Sequence, residues 1–140
     1  MNIRKYNNFD KEALVSFWSK VFPDDPPHNE PGKVIAEKLI VDDLIFIVEE
    51  EDNIIGACMA GYDGHRGWLY AVAVDTEFRR KGVGKKLVSN VLASLRELGC
   101  GKVNIQIRAK NDQAEEFYKS IGFNMEDRVS MGVHLAQSNS

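Results

Sequence analysis

The order of hydrophobic patterns predicts an α+β domain whose mixed, mostly antiparallel sheet is partly parallel. Three apolar, β-rich runs at 44–48, 54–62 and 68–75 are separated only by short polar turns, the pattern of an antiparallel meander. A strand–helix–strand succession follows, the crossover by which parallel strands are connected. The 140 residues suffice for one domain over 1–140, with a core large enough to need no disulfide or metal.

Composition excludes several classes. Hydrophobic residues make up 44% and charged residues 28%, which rules out disordered, collagenous and low-complexity chains. No apolar run approaches the roughly 20 residues of a membrane span, and the segment Met1–Lys5 lacks the apolar core of a signal peptide. The two cysteines, Cys58 and Cys100, make neither a disulfide framework nor a zinc site. They read as reduced thiols of a cytoplasmic protein that uses no metal. A net charge of -3 argues against nucleic acid as a general partner, and nothing indicates a membrane.

Along the chain, Ile3–Tyr6 is a short opening strand. Asn7–Asp10 carries helix-cap chemistry, and Phe9, Leu14, Phe17, Trp18 and Val21 recur at helical spacing. That helix is expected to end near Phe22, because all four prolines (Pro23, Pro26, Pro27 and Pro31) follow within nine residues. They make a stiff, exposed loop. A second helix spans about 31–42, with Val34, Ile35, Leu39 and Ile40 as its apolar positions. The strand Leu44–Val48 passes through an acidic turn, Glu49–Asn53, into the strand Ile54–Tyr62. A glycine-punctuated turn, Tyr62–Gly67, then leads to the strand Trp68–Asp75, whose Trp68 and Tyr70 read as core.

The best helical pattern begins at Val83 and continues through Leu87, Val88, Val91, Leu92, Leu95 and Leu98 to a C-terminal cap at Gly99. Lys102–Ile107 reads as a strand and Asp112–Ile121 as a helix stopped by Gly122. Phe123–Leu135 is expected to give one or two final strands. The chain shows no internal repeat and no linker.

One segment carries chemistry. Arg79-Arg80-Lys81-Gly82-Val83-Gly84-Lys85-Lys86 places five cations in eight residues between a strand and a helix start. Two glycines let the backbone turn tightly with its N–H groups free, and the helix start adds about half a positive charge. Together they suit a pyrophosphate. A P-loop is excluded because Lys85-Lys86 follows Gly84 with no hydroxyl. A dinucleotide fingerprint is excluded because position 87 is Leu.

Arg79-x-x-Gly82-x-Gly84 resembles the [Gln/Arg]-x-x-Gly-x-[Gly/Ala] signature of the GNAT superfamily of N-acetyltransferases. Val72-Ala73-Val74-Asp75 is similar to the family's fourth strand. Asn111-x-x-Ala114-x-x-Phe117-Tyr118-x-x-x-Gly122-Phe123 is similar to its second hallmark block. The resemblance covers residues 68–123 well, and Tyr62–Gly67 further resembles small bacterial YpeA-type acetyltransferases.

The resemblance implies a sheet of six to seven strands flanked by about four helices, with a V-shaped split between the fourth and fifth strands. It implies acetyl-coenzyme A as cosubstrate and a small-molecule or peptide amine as acceptor; a homodimer stays open. Arg80, Lys81, Gly82, Val83, Gly84 and Lys85 would hold the pyrophosphate, with Arg79 contacting phosphate or bracing the loop. Val72, Ala73 and Val74 would flank the pantetheine arm, and the N–H of Val72 or Val74 would polarise the acetyl carbonyl. Asn111 would hydrogen-bond that arm or cap its helix. Tyr118 would protonate the departing thiolate.

The resemblance also places a glutamate base where this chain has Gln106, which accepts no proton. His65 is the leading replacement base, with Asp63, Tyr62 and Glu77 behind it, unless the acceptor amine has a low pKa and needs none. Gln106 also leaves open a non-catalytic acetyl-coenzyme A sensor or partner subunit. His28 and His134 read as incidental. The acceptor pocket would be framed by Phe22–Pro31, with Asp24, Asp25 and Glu30, and by about 127–134. Both cysteines read as inert.

Overall fold

The computed structural model describes residues 1–24 and 30–135. They fall in two compact units, Met1–Gln106 and Ile107–Ser140. The first holds a five-stranded sheet in the order β1-β2-β3-β4-β5. Its strands are β1 (Asn2–Lys5), β2 (Ile45–Glu50), β3 (Asn53–Tyr62), β4 (Gly67–Val74) and β5 (Val103–Ile105). The first three pairings are antiparallel and β4–β5 is parallel, as the meander and crossover require.

Strand alternation gives the sheet two buried faces. On one, Ile45 and Ala57 pack with Leu14, Phe17, Trp18 and Ile35 from α1 (Lys11–Val21) and α2 (Pro31–Val41). The other is covered by α3 (Val83–Glu97), which buries Val83, Leu87, Val88, Val91 and Leu95 at the spacing the sequence showed. Fully burying one such side chain is worth about 1.5–3 kcal/mol, so this stripe fixes the helix on the sheet. Leu92 is only half-buried, and Leu98, the C-cap before the left-handed Gly99 (φ 96°), is 54% exposed.

Polar contacts fix the entrance to α1. Asn7 accepts a hydrogen bond from the Phe9 N–H, and the Asp10 carboxylate accepts one from the Asn7 N–H at 2.8 Å. Arg4 on β1 donates to both Asp10 oxygens at 2.8 Å and to Glu49 at 3.0 Å, tying β1, β2 and the helix start together. The Arg4 guanidinium holds the Asp10 carboxyl below its ordinary value. Phe9, expected on the apolar stripe, lies in the turn Asn8–Asp10 and is fully exposed instead.

The second unit contains α4 (Asp112–Ser120), capped by Asn111 and closed by the hydrogen bond from the Phe123 N–H to the Tyr118 carbonyl at 2.9 Å. Four α-helices match the expectation, but the sheet has five strands among the described residues rather than six or seven. The segment 123–135 forms no strand. Val129, Met131, Val133 and Leu135 alternate as strand residues do, yet each is more than four-fifths exposed. Alternation signals a strand only when one of its faces is buried, and here neither is.

Candidate active site

Pairing between β4 and β5 runs only from Gly67↔Val103 to Leu69↔Ile105. Beyond Leu69, β4 continues to Val74 with β3 alone beside it in the sheet among the described residues. Its alternation changes on the way. The Gly67 N–H donates to the Lys102 carbonyl at 2.9 Å, so odd-numbered residues at first point their backbone groups toward β5. Further on, Asp75 donates to the Ile55 carbonyl at 2.7 Å, so odd-numbered residues there point toward β3. The switch is a β-bulge: Met59 pairs with Tyr70 and Ala57 with Ala73, leaving one extra residue on β4.

Ala71 occupies the bulge in the left-handed region at φ 51°. That conformation costs a non-glycine residue about 1–2 kcal/mol. The Ala71 carbonyl turns out of the ladder and accepts a hydrogen bond from the buried Trp18 indole N–H at 3.0 Å. As a result the N–H and C=O groups of Val72 and Val74, both half-buried, face the edge that β5 does not reach. That edge is a template for an extended ligand.

At the end of this edge Asp75 accepts hydrogen bonds from the Glu77 N–H at 2.9 Å and from Lys20 at 3.1 Å. These contacts hold its carboxyl below the ordinary value and anchor the exit of β4 to α1. The chain then runs through Thr76–Phe78 into the basic turn. Arg80 (φ 65°) and Gly82 (φ 79°) both adopt left-handed conformations. Gly82 caps α3 without any side-chain hydrogen bond, and a Cβ there would meet nothing within 4 Å.

The first-turn N–H groups of Val83, Gly84 and Lys85 have no intrahelical acceptor by helix geometry. With Arg79, Arg80, Lys81, Lys85 and Lys86 around them and no side chain capping them, these donors form a positively charged helix start open to an anion. Lys81 is held over the Phe78 ring at 5.3 Å. Uncapped turn and open edge are consecutive in the chain and suit a ligand with a pyrophosphate joined to an extended amide arm.

In the second unit, the Asn111 Oδ1 accepts the Ala114 N–H at 3.1 Å, so the cap role is realised and engages that oxygen. Tyr118 is 7% exposed and edge-on to Phe117 and Phe123, with ring centroids at 4.9 and 5.3 Å.

His65 lies in the exposed turn before β4, seven positions from Val72, on the order of 20 Å along an extended chain. The structure does not bring it to the bulge. Asp63 accepts the N–H groups of His65 and Arg66 at 2.8 Å each, which stabilise its charged form and lower its pKa. The Tyr62 hydroxyl donates to the Gly99 carbonyl at 3.3 Å.

Glu30 spends its carboxylate capping α2, accepting from the Gly32 and Lys33 N–H groups. Asp25, Pro26, Pro27 and His28 of the proposed acceptor loop lie outside the described residues. Tyr70, read as core, is 45% exposed. The Cys58 thiol is buried, which pushes its pKa up to about 12, and it is no nucleophile. Among the described residues no group of three or more His, Cys, Asp or Glu is placed to hold a metal ion, and no helix is long and apolar enough to cross a membrane. Sequence reasoning missed Trp18 and Ala71, since an alanine inside a strand pattern carries no sign of a bulge.

Known proteins place the chain in a family. The model of the acetyltransferase (GNAT) family matches residues 11–123. An acetyltransferase of Pectobacterium atrosepticum is 33% identical over 140 residues, covering 98% of this chain and 97% of its own length. One from Sodalis glossinidius is 33% identical over 132 residues, with 92% and 91% covered. The structure of AAC(6')-Iy in complex with a coenzyme A bisubstrate analogue has a TM-score of 0.78 at 20% identity, covering 96% of this chain and 98% of that one. Glucosamine-6-phosphate N-acetyltransferase from Arabidopsis thaliana has a TM-score of 0.70 at 24% identity, with 96% and 98% covered. The chain belongs to the GNAT family of acetyltransferases, whose cosubstrate is acetyl-coenzyme A.

Proposed function

We propose that the protein transfers the acetyl group of acetyl-coenzyme A directly to a primary amine, with both substrates bound at once. The observation that carries this reading is the outward-facing edge of Val72 and Val74 leading into the uncapped basic turn at Gly82. The end of β4–β5 pairing after Leu69 and Ile105 corresponds, in this reading, to the V-shaped split of the family. The turn from Arg79 to Lys85 holds the pyrophosphate through its N–H groups and cations. Val72, Ala73 and Val74 receive the pantetheine arm as an added strand.

The Val72 or Val74 N–H donates to the thioester oxygen and stabilises it as it gains negative charge. The amine lone pair forms the C–N bond, the C–S bond breaks, and the amine's proton passes to solvent. The motif assigns Tyr118 as the donor that protonates the thiolate, and Asn111 as a donor to the arm through its carboxamide nitrogen. A thiol of pKa about 8.5 is a tolerable leaving group, so this proton donation gives a modest acceleration.

Gln106 offers no base, and His65 lies far from Val72 along β4. Both points favour an acceptor amine that is substantially neutral by itself. An amine of pKa about 7.8 is roughly one-tenth neutral at pH 7, against about 0.04% for a lysine near 10.4. Proteins of the same fold named for amine acetylation, the aminoglycoside and glucosamine-6-phosphate enzymes, support a primary amine as acceptor. Initial rates of thiol release test the reading across amines of graded pKa. Intersecting double-reciprocal lines, and rates that rise with the neutral fraction, are expected. Parallel lines would replace direct transfer with an acyl-enzyme route.

A further inference from the structure

We infer that Trp18 is a positioning residue: its indole N–H holds Ala71 in the left-handed conformation that turns the Val72 and Val74 amides outward. This role rests on the reading of β4 as the coenzyme-binding edge. Ala71 has a Cβ and does not adopt φ 51° by preference, so something outside the strand must hold it there. The Ala71 carbonyl accepts from Trp18 Nε1 at 3.0 Å, across 53 positions of sequence. Trp18 is 3% exposed within the α1 core, and Ala71 packs against the same cluster. A buried indole N–H that loses its acceptor is costly, so each partner fixes the other.

Without the bulge, the alternation set at Gly67 and Leu69 continues unchanged. Residues 71 and 73 then face outward, and the Val72 and Val74 amides turn into the ladder with β3. One hydrogen bond from α1 thereby selects which amides a ligand meets.

Two variants of the full chain test this. Trp18→Phe keeps an aromatic ring in the core and deletes the donor. Trp18→Phe combined with Ala71→Gly also restores freedom at positive φ, without restoring the hydrogen bond. Each is titrated calorimetrically with acetyl-coenzyme A. Amide exchange is followed at Asp75, which donates to β3 just past the bulge, with Ile47 in β2 as reference. Trp18→Phe is expected to lose about tenfold in affinity, the worth of a well-made hydrogen bond. Its Asp75 amide is expected to exchange faster relative to Ile47, and the glycine variant to recover most of both effects.

Wild-type affinity together with a wild-type exchange ratio in Trp18→Phe overturns the proposal. So does a loss that glycine leaves unrestored while Asp75 and Ile47 accelerate together, which makes Trp18 only a core residue. Should the wild-type protein bind no acetyl-coenzyme A, the coenzyme reading fails, and the exchange ratio alone decides the role of Trp18.

Discussion

Gly67–Leu69 and Val72–Val74 belong to one strand, yet the first segment is bonded to strands on both edges and the second, among the described residues, to β3 alone. Their sequences do not foretell this, since both are short and apolar. The first is closed by volume. A Cβ on Gly67 would stand 2.7 Å from the Cys100 sulfur and 3.1 Å from the Val103 methyl, so only glycine admits β5 this close. The second lies past the end of β5, and the dihedral angle of Ala71 sets which of its amides face that edge. Packing decides where the strand is bonded on both edges, and one left-handed residue decides which amides face the unpaired edge.

The comparison breaks most readily at the turn that continues the open half. Gly84→Trp fills the helix start with an indole and is expected to weaken acetyl-coenzyme A binding at least about a hundredfold. Its melting temperature should stay close to wild type, and unchanged affinity removes the turn from the site. Gly67→Val attacks the closed half instead. Overpacking against Cys100 and Val103 should cost about 1–3 kcal/mol in denaturant unfolding, with coenzyme affinity per folded molecule intact.

Tyr118→Phe should lower kcat about tenfold while the coenzyme dissociation constant holds, since the thiol leaves readily by itself. Equal turnover returns Tyr118 to packing against Phe117 and Phe123.

Acid tests the anchors around the sheet. Asp10 and Asp75 both have folded-state values below their ordinary ones. Their stabilisation is complete above the unfolded carboxylate value of about 3.9 and is lost as pH falls through the lowered folded values. Denaturant midpoints measured from pH 6 to pH 2 should therefore fall mainly below about pH 4. Asp10→Asn should flatten that fall and lower stability at pH 7 by about 1–2 kcal/mol, because Arg4 loses one of its two charged acceptors and keeps only Glu49. The smallest effect belongs to His65→Ala, which should leave the pH–rate profile unchanged. Loss of one limb of the profile would make His65 the base after all.

Much of this molecule was legible in its sequence. The 3–4 spacing of Val83 to Leu95 and the glycine at 99 gave α3 to within a residue, because a buried helical stripe and its cap are local signals. The tight turn into α3 was legible because glycine between a strand pattern and a helix pattern marks a left-handed turn, as Gly82 adopts. The bulge was not, since Ala71 takes its angle from Trp18, a long-range contact with no local signature. Residues 123–135 misled for the converse reason: alternation was present in the sequence, but burial, which gives alternation its meaning, was not. Glu30 showed a third limit, as a loop carboxylate in sequence proved to be the cap of α2.

Calorimetric titration of the full chain with acetyl-coenzyme A, coenzyme A and ATP in parallel tests the central claim most directly. Saturable binding of both coenzyme forms, with no response to ATP, is the predicted result, because the turn and the β4 edge must act together. Binding of ATP with the same strength as the coenzymes would contradict it, leaving a bare phosphate turn with no role for Val72 and Val74.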